Sequence, residues 1–103
     1  MIIPDIAPKD AEKAVNDGAV FIDVREGYEL EEVKYGVKHL HIPMGEIQER
    51  MNEIPKDKTV IIGCRSGGRS MNVCMFLQMN GFENINNLEG GMLNWLDSGC
   101  SVA

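Results

Sequence analysis

The stretch GCRSGGRS at 63–70 follows directly on the apolar run TVII. Cys64 puts a thiol at the end of that run, Arg65 and Arg69 bring two cations, and Gly67 and Gly68 remove the side chains between them. Glycines let successive backbone N–H groups turn toward one point. A helix opening just beyond adds the positive end of its dipole. With the arginines, this is a cradle for an anion, and its first occupant is the thiolate of Cys64 itself. A free thiol has a pKa of about 8.5, which helix N-termini and nearby cations lower. Residues 64–69 therefore read as a site that activates a thiolate and holds an anionic substrate against it. Cys64 is the nucleophile in this reading, and Arg65, Ser66, Gly67, Gly68 and Arg69 bind the substrate. A second reading stays open on residue type alone. A cysteine ending an apolar strand is commonly a small core residue, and Gly-Gly with arginines is commonly a solvated turn.

The elements around this loop must place it. KTVIIGC (58–64) and AVFIDVR (19–25) are rich in β-branched and aromatic residues and read as buried strands. HLHIP (39–43) and ENIN (83–86) read as short strands. PKDAEKAVNDG (8–18) predicts a helix, with Pro8 at a first helical position and Gly18 at the stop. EGYELEE (26–32) predicts a turn or two of helix. MGEIQERMNEI (44–54) predicts an amphipathic helix on Met44, Ile47, Met51 and Ile54. GRSMNVCMFLQMNG (68–81) and GGMLNWLDSG (90–99) predict two more, the former stopped by Gly81. Strands alternating with helices predict an α/β fold with a largely parallel sheet covered on both faces. Ligands bind such sheets beyond the carboxyl ends of the strands, which is where Cys64 falls.

Composition narrows the function classes. A chain of 103 residues predicts one domain with a modest core. The net charge of −6 argues against a general nucleic-acid surface. No segment approaches the roughly 20 apolar residues of a membrane helix. MIIPDIAPKD lacks the basic start and apolar stretch of a signal peptide. Three cysteines do not read as a disulfide framework, so a reducing cytoplasm is expected.

FIDVREGYELEE, IPKDKTVIIGCRSGGRS and GFENINNLEGGMLNW together resemble a single-domain rhodanese, a sulfurtransferase. The resemblance runs from about Asp5 to Trp95 with the motifs in order, so 1–103 is expected to be a single rhodanese domain. It implies a five-stranded, mostly parallel sheet with helices on both faces. It implies that Cys64 forms a persulfide and that 64–69 is its binding loop. The thiolate would take the outer sulfur of thiosulfate or another sulfane donor, then pass it to a thiol or to cyanide. No metal and no organic cofactor would be needed. Partners would be small sulfane donors and thiol acceptors, with a sulfur-donor or acceptor protein among the options, and no nucleic acid or membrane. Asp23 and Arg25 match the family's strand-end D-V-R segment, where they would brace neighbouring loops rather than do chemistry.

Other groups read more plainly. Arg69 is expected to order the loop and face the anion, and the more solvent-prone Arg65 to steer substrate. Glu26 reads as a weak surface ion. Cys74 reads as core, on the side of Ser70 and Leu77. Cys100 reads as a bystander thiol in a frayed tail, with a resolving role only if the tail folds back. His39 and His41 share a strand face but have no third ligand. Trp95 with Leu93 and Leu96 reads as helix packing. Two departures from the family pattern matter: YGVKHLHIP leaves the turn at 35–39 undefined, and Gly63 stands where a bulky residue is usual. The latter would loosen the strand end or open space behind the sulfur.

Two other functions compete. Phosphatases of the cell-cycle-activating kind, and related arsenate reductases, share the fold but separate cysteine and arginine by five residues. Here four residues separate Cys64 from Arg69. A tighter ring suits one sulfur atom rather than a tetrahedral phosphate. Non-catalytic rhodanese modules typically lack the cysteine that this chain keeps.

Overall fold

A computed structural model describes residues 2–103 of the chain. Five strands form one sheet: β1 (Asp5–Ile6), β2 (Val20–Asp23), β3 (Leu40–His41), β4 (Val60–Gly63) and β5 (Ile85–Leu88). Their spatial order is β1-β5-β4-β2-β3, and every pairing is parallel. β4 lies at the centre with β2 in register beside it, Ile61 against Phe21 and Ile62 against Ile22. All four residues of β4 are buried, as expected of a strand covered on both faces.

The period-2 alternation of the strands divides the core into two. Ile22, Val60, Ile62 and Ile85 face one side and pack with Ile47, Val73 and Leu77. Phe21, Ile61 and Leu88 face the other and pack with Ala11, Met92 and Trp95. Helices α3 (Ile47–Arg50) and α4 (Gly68–Met79) thus cover one face, and α1 (Pro8–Asn16) and α5 (Gly91–Asp97) the other. α4 meets the sheet through Ser70, Val73, Cys74 and Leu77, a stripe at helical spacing. Helix α2 (Gly27–Glu32) follows β2 at the carboxyl end of the sheet. Its start is a capping box, with Glu26 and Glu29 each bonding the other's backbone N–H. Glu26 is therefore a helix cap and not merely a surface ion.

Several expectations need correcting. β1 was not foreseen: it is two residues long between prolines, and it is held by Asn87 N–H to Pro4 O and Glu89 N–H to Ile6 O, both 2.9 Å. Residues 44–53 are not one helix but a 3-10 turn, one turn of α3 and a second 3-10 turn. Ile47 and Ile54 are buried while Met44 is exposed, so only part of the foreseen face is used. In α5, Trp95 is fully buried, but Leu93 and Leu96 are nearly half exposed. The tail is not frayed. Trp95 Nε1 donates to Ser101 O at 2.7 Å, Gly36 N donates to the same oxygen at 2.8 Å, and Tyr35 bridges Val102. This also defines the turn at 35–39. Cys100 is buried with α1 and α5, in the core opposite the one that contains Cys64.

Candidate active site

β4 delivers Cys64 to the carboxyl edge of the sheet, and the chain turns there into α4. The turn needs Gly67, whose φ of 104° is open to glycine and strained for other residues. Gly91 allows a second close approach. A Cβ on Gly91 would lie 2.5 Å from the carbonyl carbon of Arg65 and 2.6 Å from Cys64 O. With no side chain there, Met92 N donates to Cys64 O at 2.8 Å and Leu93 N to Arg65 O at 3.1 Å. The start of α5 thus holds the carbonyls of the loop outward. The N–H groups of the loop are left to point inward.

They converge on the sulfur. Gly67 N donates to Cys64 Sγ at 3.1 Å and Ser70 N at 3.3 Å, and Ser70 Oγ lies 3.2 Å away. Burial works against the thiolate, but the hydrogen bonds from the Ser70 hydroxyl and the N–H groups of Ser70, Gly67 and Ser66 outweigh it and hold the thiol below its ordinary pKa. Cys64 is 1% exposed. Cys74, by contrast, is pushed up to about 12 by burial. Burial also raises Cys100. Of the three thiols, Cys64 alone has an environment that favours ionisation.

Gly63 does not open a void behind the sulfur. An added Cβ would stand 2.7 Å from Phe21 Cζ and 3.1 Å from the Tyr35 hydroxyl. The place of a bulky residue is taken by this aromatic pair, whose centroids are 4.7 Å apart. Tyr35 Oη donates to Cys64 O at 2.6 Å and so fixes the nucleophile's own peptide.

Among the charged residues, Arg69 is the one that departs from the expectation. Arg69 does not present a free guanidinium. It makes a two-pronged pair with Glu29, Nη1 to Oε1 at 2.7 Å and Nη2 to Oε2 at 2.9 Å. That pairing, against some desolvation, lowers the Glu29 carboxyl to about 2. Arg25 is buried and clamps Asp23 with Nε at 3.1 Å and Nη2 at 2.8 Å, and Nη2 also donates to Val33 O at 2.9 Å. This unit ties the end of β2 to the end of α2. His41 Nε2 lies 2.7 Å from Arg25 O and His39 Nδ1 2.7 Å from Val37 O, so the two rings serve separate carbonyls. Arg65, Ser66 and Gly68 are exposed, and Arg65 lines a cavity of about 390 Å³ with Tyr28, Glu29, Val33 and Leu93.

Sequence reasoning missed Ser70 as a sulfur ligand and missed Glu29, Tyr35 and Asn87 entirely. Ser70 directly follows the loop and could have been read from its place on the first turn of α4. The other three are 23 to 35 positions from Cys64 along the chain, and no local pattern joins them to it.

A family model described as "Rhodanese-like domain" matches residues 7–98. "Putative sulfurtransferase YtwF" of Bacillus subtilis is 50% identical over 76 residues, covering 72% of this chain and 70% of that protein. "Thiosulfate sulfurtransferase GlpE" of Actinobacillus pleuropneumoniae is 27% identical over 103 residues, covering 95% and 91%. The crystal structure of a rhodanese-related protein from Thermoplasma volcanium superposes with a TM-score of 0.85 at 31% identity, over 97% of each chain.

Proposed function

Since this chain belongs to the rhodanese-like family, whose members among its relatives are named sulfurtransferases, we propose that it transfers sulfane sulfur through a persulfide on Cys64. The observation that carries this is the convergence of Gly67 N–H, Ser70 N–H and the Ser70 hydroxyl on Sγ within 3.3 Å. Such donors stabilise a thiolate before reaction and an anionic sulfur after it.

The reaction runs in two displacements. The Cys64 thiolate attacks the outer sulfur of thiosulfate, an S–S bond forms at Cys64, and the S–S bond to sulfite breaks with its electron pair leaving on sulfite. Charge balances, because a thiolate and a dianion become a persulfide anion and a sulfite dianion. An acceptor thiolate then attacks the terminal sulfur and Cys64 leaves as the thiolate. Ser66, Gly67 and Gly68 supply backbone around the transferred sulfur, and Arg65 steers the anionic donor. Arg69 holds the loop to α2 through Glu29, and Asp23 with Arg25 braces the strand end. Thiosulfate is the donor named for one relative, and other sulfane donors fit the same chemistry. The chain acts as one domain, its described residues built around one sheet. A reducing compartment such as the cytoplasm suits a thiolate nucleophile and three unpaired cysteines.

The test is intact mass after incubation with thiosulfate, followed by cyanide. The wild type should gain one sulfur atom and lose it again. Cys64→Ser should gain none, since a serine hydroxyl does not ionise here, while Cys74→Ala and Cys100→Ser should still be loaded. Sulfur loading of the Cys64→Ser protein would sink the assignment.

A further inference from the structure

Behind Cys64 runs a short line of polar side chains from three elements, buried at Ser70 and Asn87 and reaching the exposed Asp5 at its far end. Ser70, on the first turn of α4, has Oγ 3.2 Å from Cys64 Sγ and 2.5 Å from Asn87 Oδ1. Asn87, on β5, donates from Nδ2 to Asp5 Oδ1 on β1 at 3.1 Å and to Gly67 O at 3.4 Å. Ser70 is fully buried and Asn87 is 4% exposed.

Elimination assigns the protons. The Gly67 carbonyl can only accept, so the Asn87 amide turns its NH₂ toward Gly67 and Asp5 and its oxygen toward Ser70. The Ser70 hydroxyl has a single proton, which Asn87 Oδ1 accepts. While Cys64 is a thiol, Ser70 Oγ accepts its S–H, and every group in the line is satisfied. When the thiol loses its proton to solvent, the sulfur can only accept. One hydroxyl proton then has two claimants, the sulfur and Asn87 Oδ1.

We propose that Asn87 is a positioning residue for Cys64 that acts through Ser70: its side-chain oxygen holds the Ser70 proton while Cys64 is a thiol and yields it when the thiolate forms. Ser70 favours ionisation, and Asn87 restrains it. The backbone donors on the sulfur are fixed, so the hydroxyl is the part that turns. The charged and titratable groups nearby do not compete for that proton. Arg69 is tied to Glu29, the Tyr35 hydroxyl is spent on Cys64 O, Arg65 is exposed, and Asp5 lies beyond the Asn87 amide. Cys74, also on α4, stays a thiol through the relevant range. The inference rests on Cys64 as the reacting thiol and not on the identity of the sulfur donor.

The experiment measures the pH profile of Cys64 alkylation by a small haloacetamide, in full-length protein without any sulfur donor. Trypsin isolates Cys64 in the peptide Thr59–Arg65, apart from Cys74 and Cys100. Wild type, Asn87→Leu, Ser70→Ala and the double variant complete a cycle. Asn87→Leu should raise the acid dissociation constant of Cys64 roughly fivefold, the equivalent of one ordinary hydrogen bond released. Ser70→Ala should lower it. In the Ser70→Ala background, Asn87→Leu should do nothing, because its route to the sulfur is gone. Thermal melts check folding, and Asn87→Ser, too short to reach Ser70, replaces Asn87→Leu if that variant does not fold. An equal shift in both backgrounds, no shift, or a shift to higher pKa in the Ser70 background would overturn the proposal. Sulfur loading of the wild type, measured separately, reports on the sulfurtransferase reading alone.

Discussion

Arg65 and Arg69 are the same residue type four positions apart, and their surroundings give them different tasks. Arg65 is exposed at the mouth with no carboxylate partner among the described residues. Arg65→Ala should therefore raise KM for thiosulfate more than it lowers kcat, since it removes attraction felt equally by bound substrate and transition state. The effect should shrink with added salt, because an exposed charge is screened. A salt-independent fall in kcat alone would mean that Arg65 acts on the departing sulfite. Arg69 is neutralised by Glu29, and the consequence is a dependence of stability on acid. The Glu29 carboxyl is lowered to about 2 from an ordinary 4.5. A depressed folded-state pKa gives stability that is complete above the unfolded value and is lost as pH falls through the folded one. Glu29→Gln keeps the helix cap and removes the charge. It should melt below the wild type at neutral pH, by on the order of 1–2 kcal/mol after allowing for solvent at Arg69. The gap should narrow between about pH 4.5 and about pH 2, as the wild-type carboxylate is protonated. Melts across that window decide the matter, and a constant gap would refute the pairing as its cause.

At the scale of the element, the size of the loop is the feature expected to set selectivity. Four residues between Cys64 and Arg69 bring N–H groups to 3.1 and 3.3 Å from a single sulfur. A phosphoryl group spreads its charge over three equatorial oxygens and requires a wider ring. One glycine inserted between Gly67 and Gly68 should abolish sulfur transfer while leaving the melt close to the wild type. It keeps the thiol and both arginines but moves the donors off Sγ. The wild type should show negligible hydrolysis of aryl phosphates. Robust phosphatase turnover by the wild type, with no sulfur loaded from any sulfane donor, would overturn the sulfurtransferase reading.

Across the whole molecule, the tail and the site are mechanically joined. Ser101 O accepts from Trp95 and Gly36, Val102 bridges Tyr35, and Tyr35 holds the carbonyl of Cys64. The close approach at Gly36 is the weak point, since a Cβ there would lie 2.5 Å from the carbonyl carbon of Ser101. Gly36→Ala should push the tail away and cost roughly 2 kcal/mol, which for a domain of this size is a fall in Tm on the order of 10 °C. It should also slow sulfur transfer, because Tyr35 loses its backing. An unchanged Tm would mean that the tail adjusts freely and does not brace the site.

The alternation of strands and helices from α1 onward, the buried central strand and the candidate nucleophile were legible in the amino-acid sequence, for a local reason. TVII is apolar enough to declare a covered strand, and Cys64 with its glycines and arginines lies within one short segment. Boundaries at 44–53 were not legible, since an apolar pattern at helical spacing does not report whether a turn tightens to 3-10. β1 escaped because two residues carry no periodicity and exist as a strand only through β5. Tertiary structure alone decided the fate of the charges and of the hydroxyl. Glu29 meets Arg69 from 40 positions away, and Asn87 meets Ser70 from 17. Such pairs form where separate elements end at the same edge of the sheet. The loop composition by itself pointed to an anion site at Cys64. Which groups face the sulfur, and which are spent on one another, depended on packing between elements far apart in the chain.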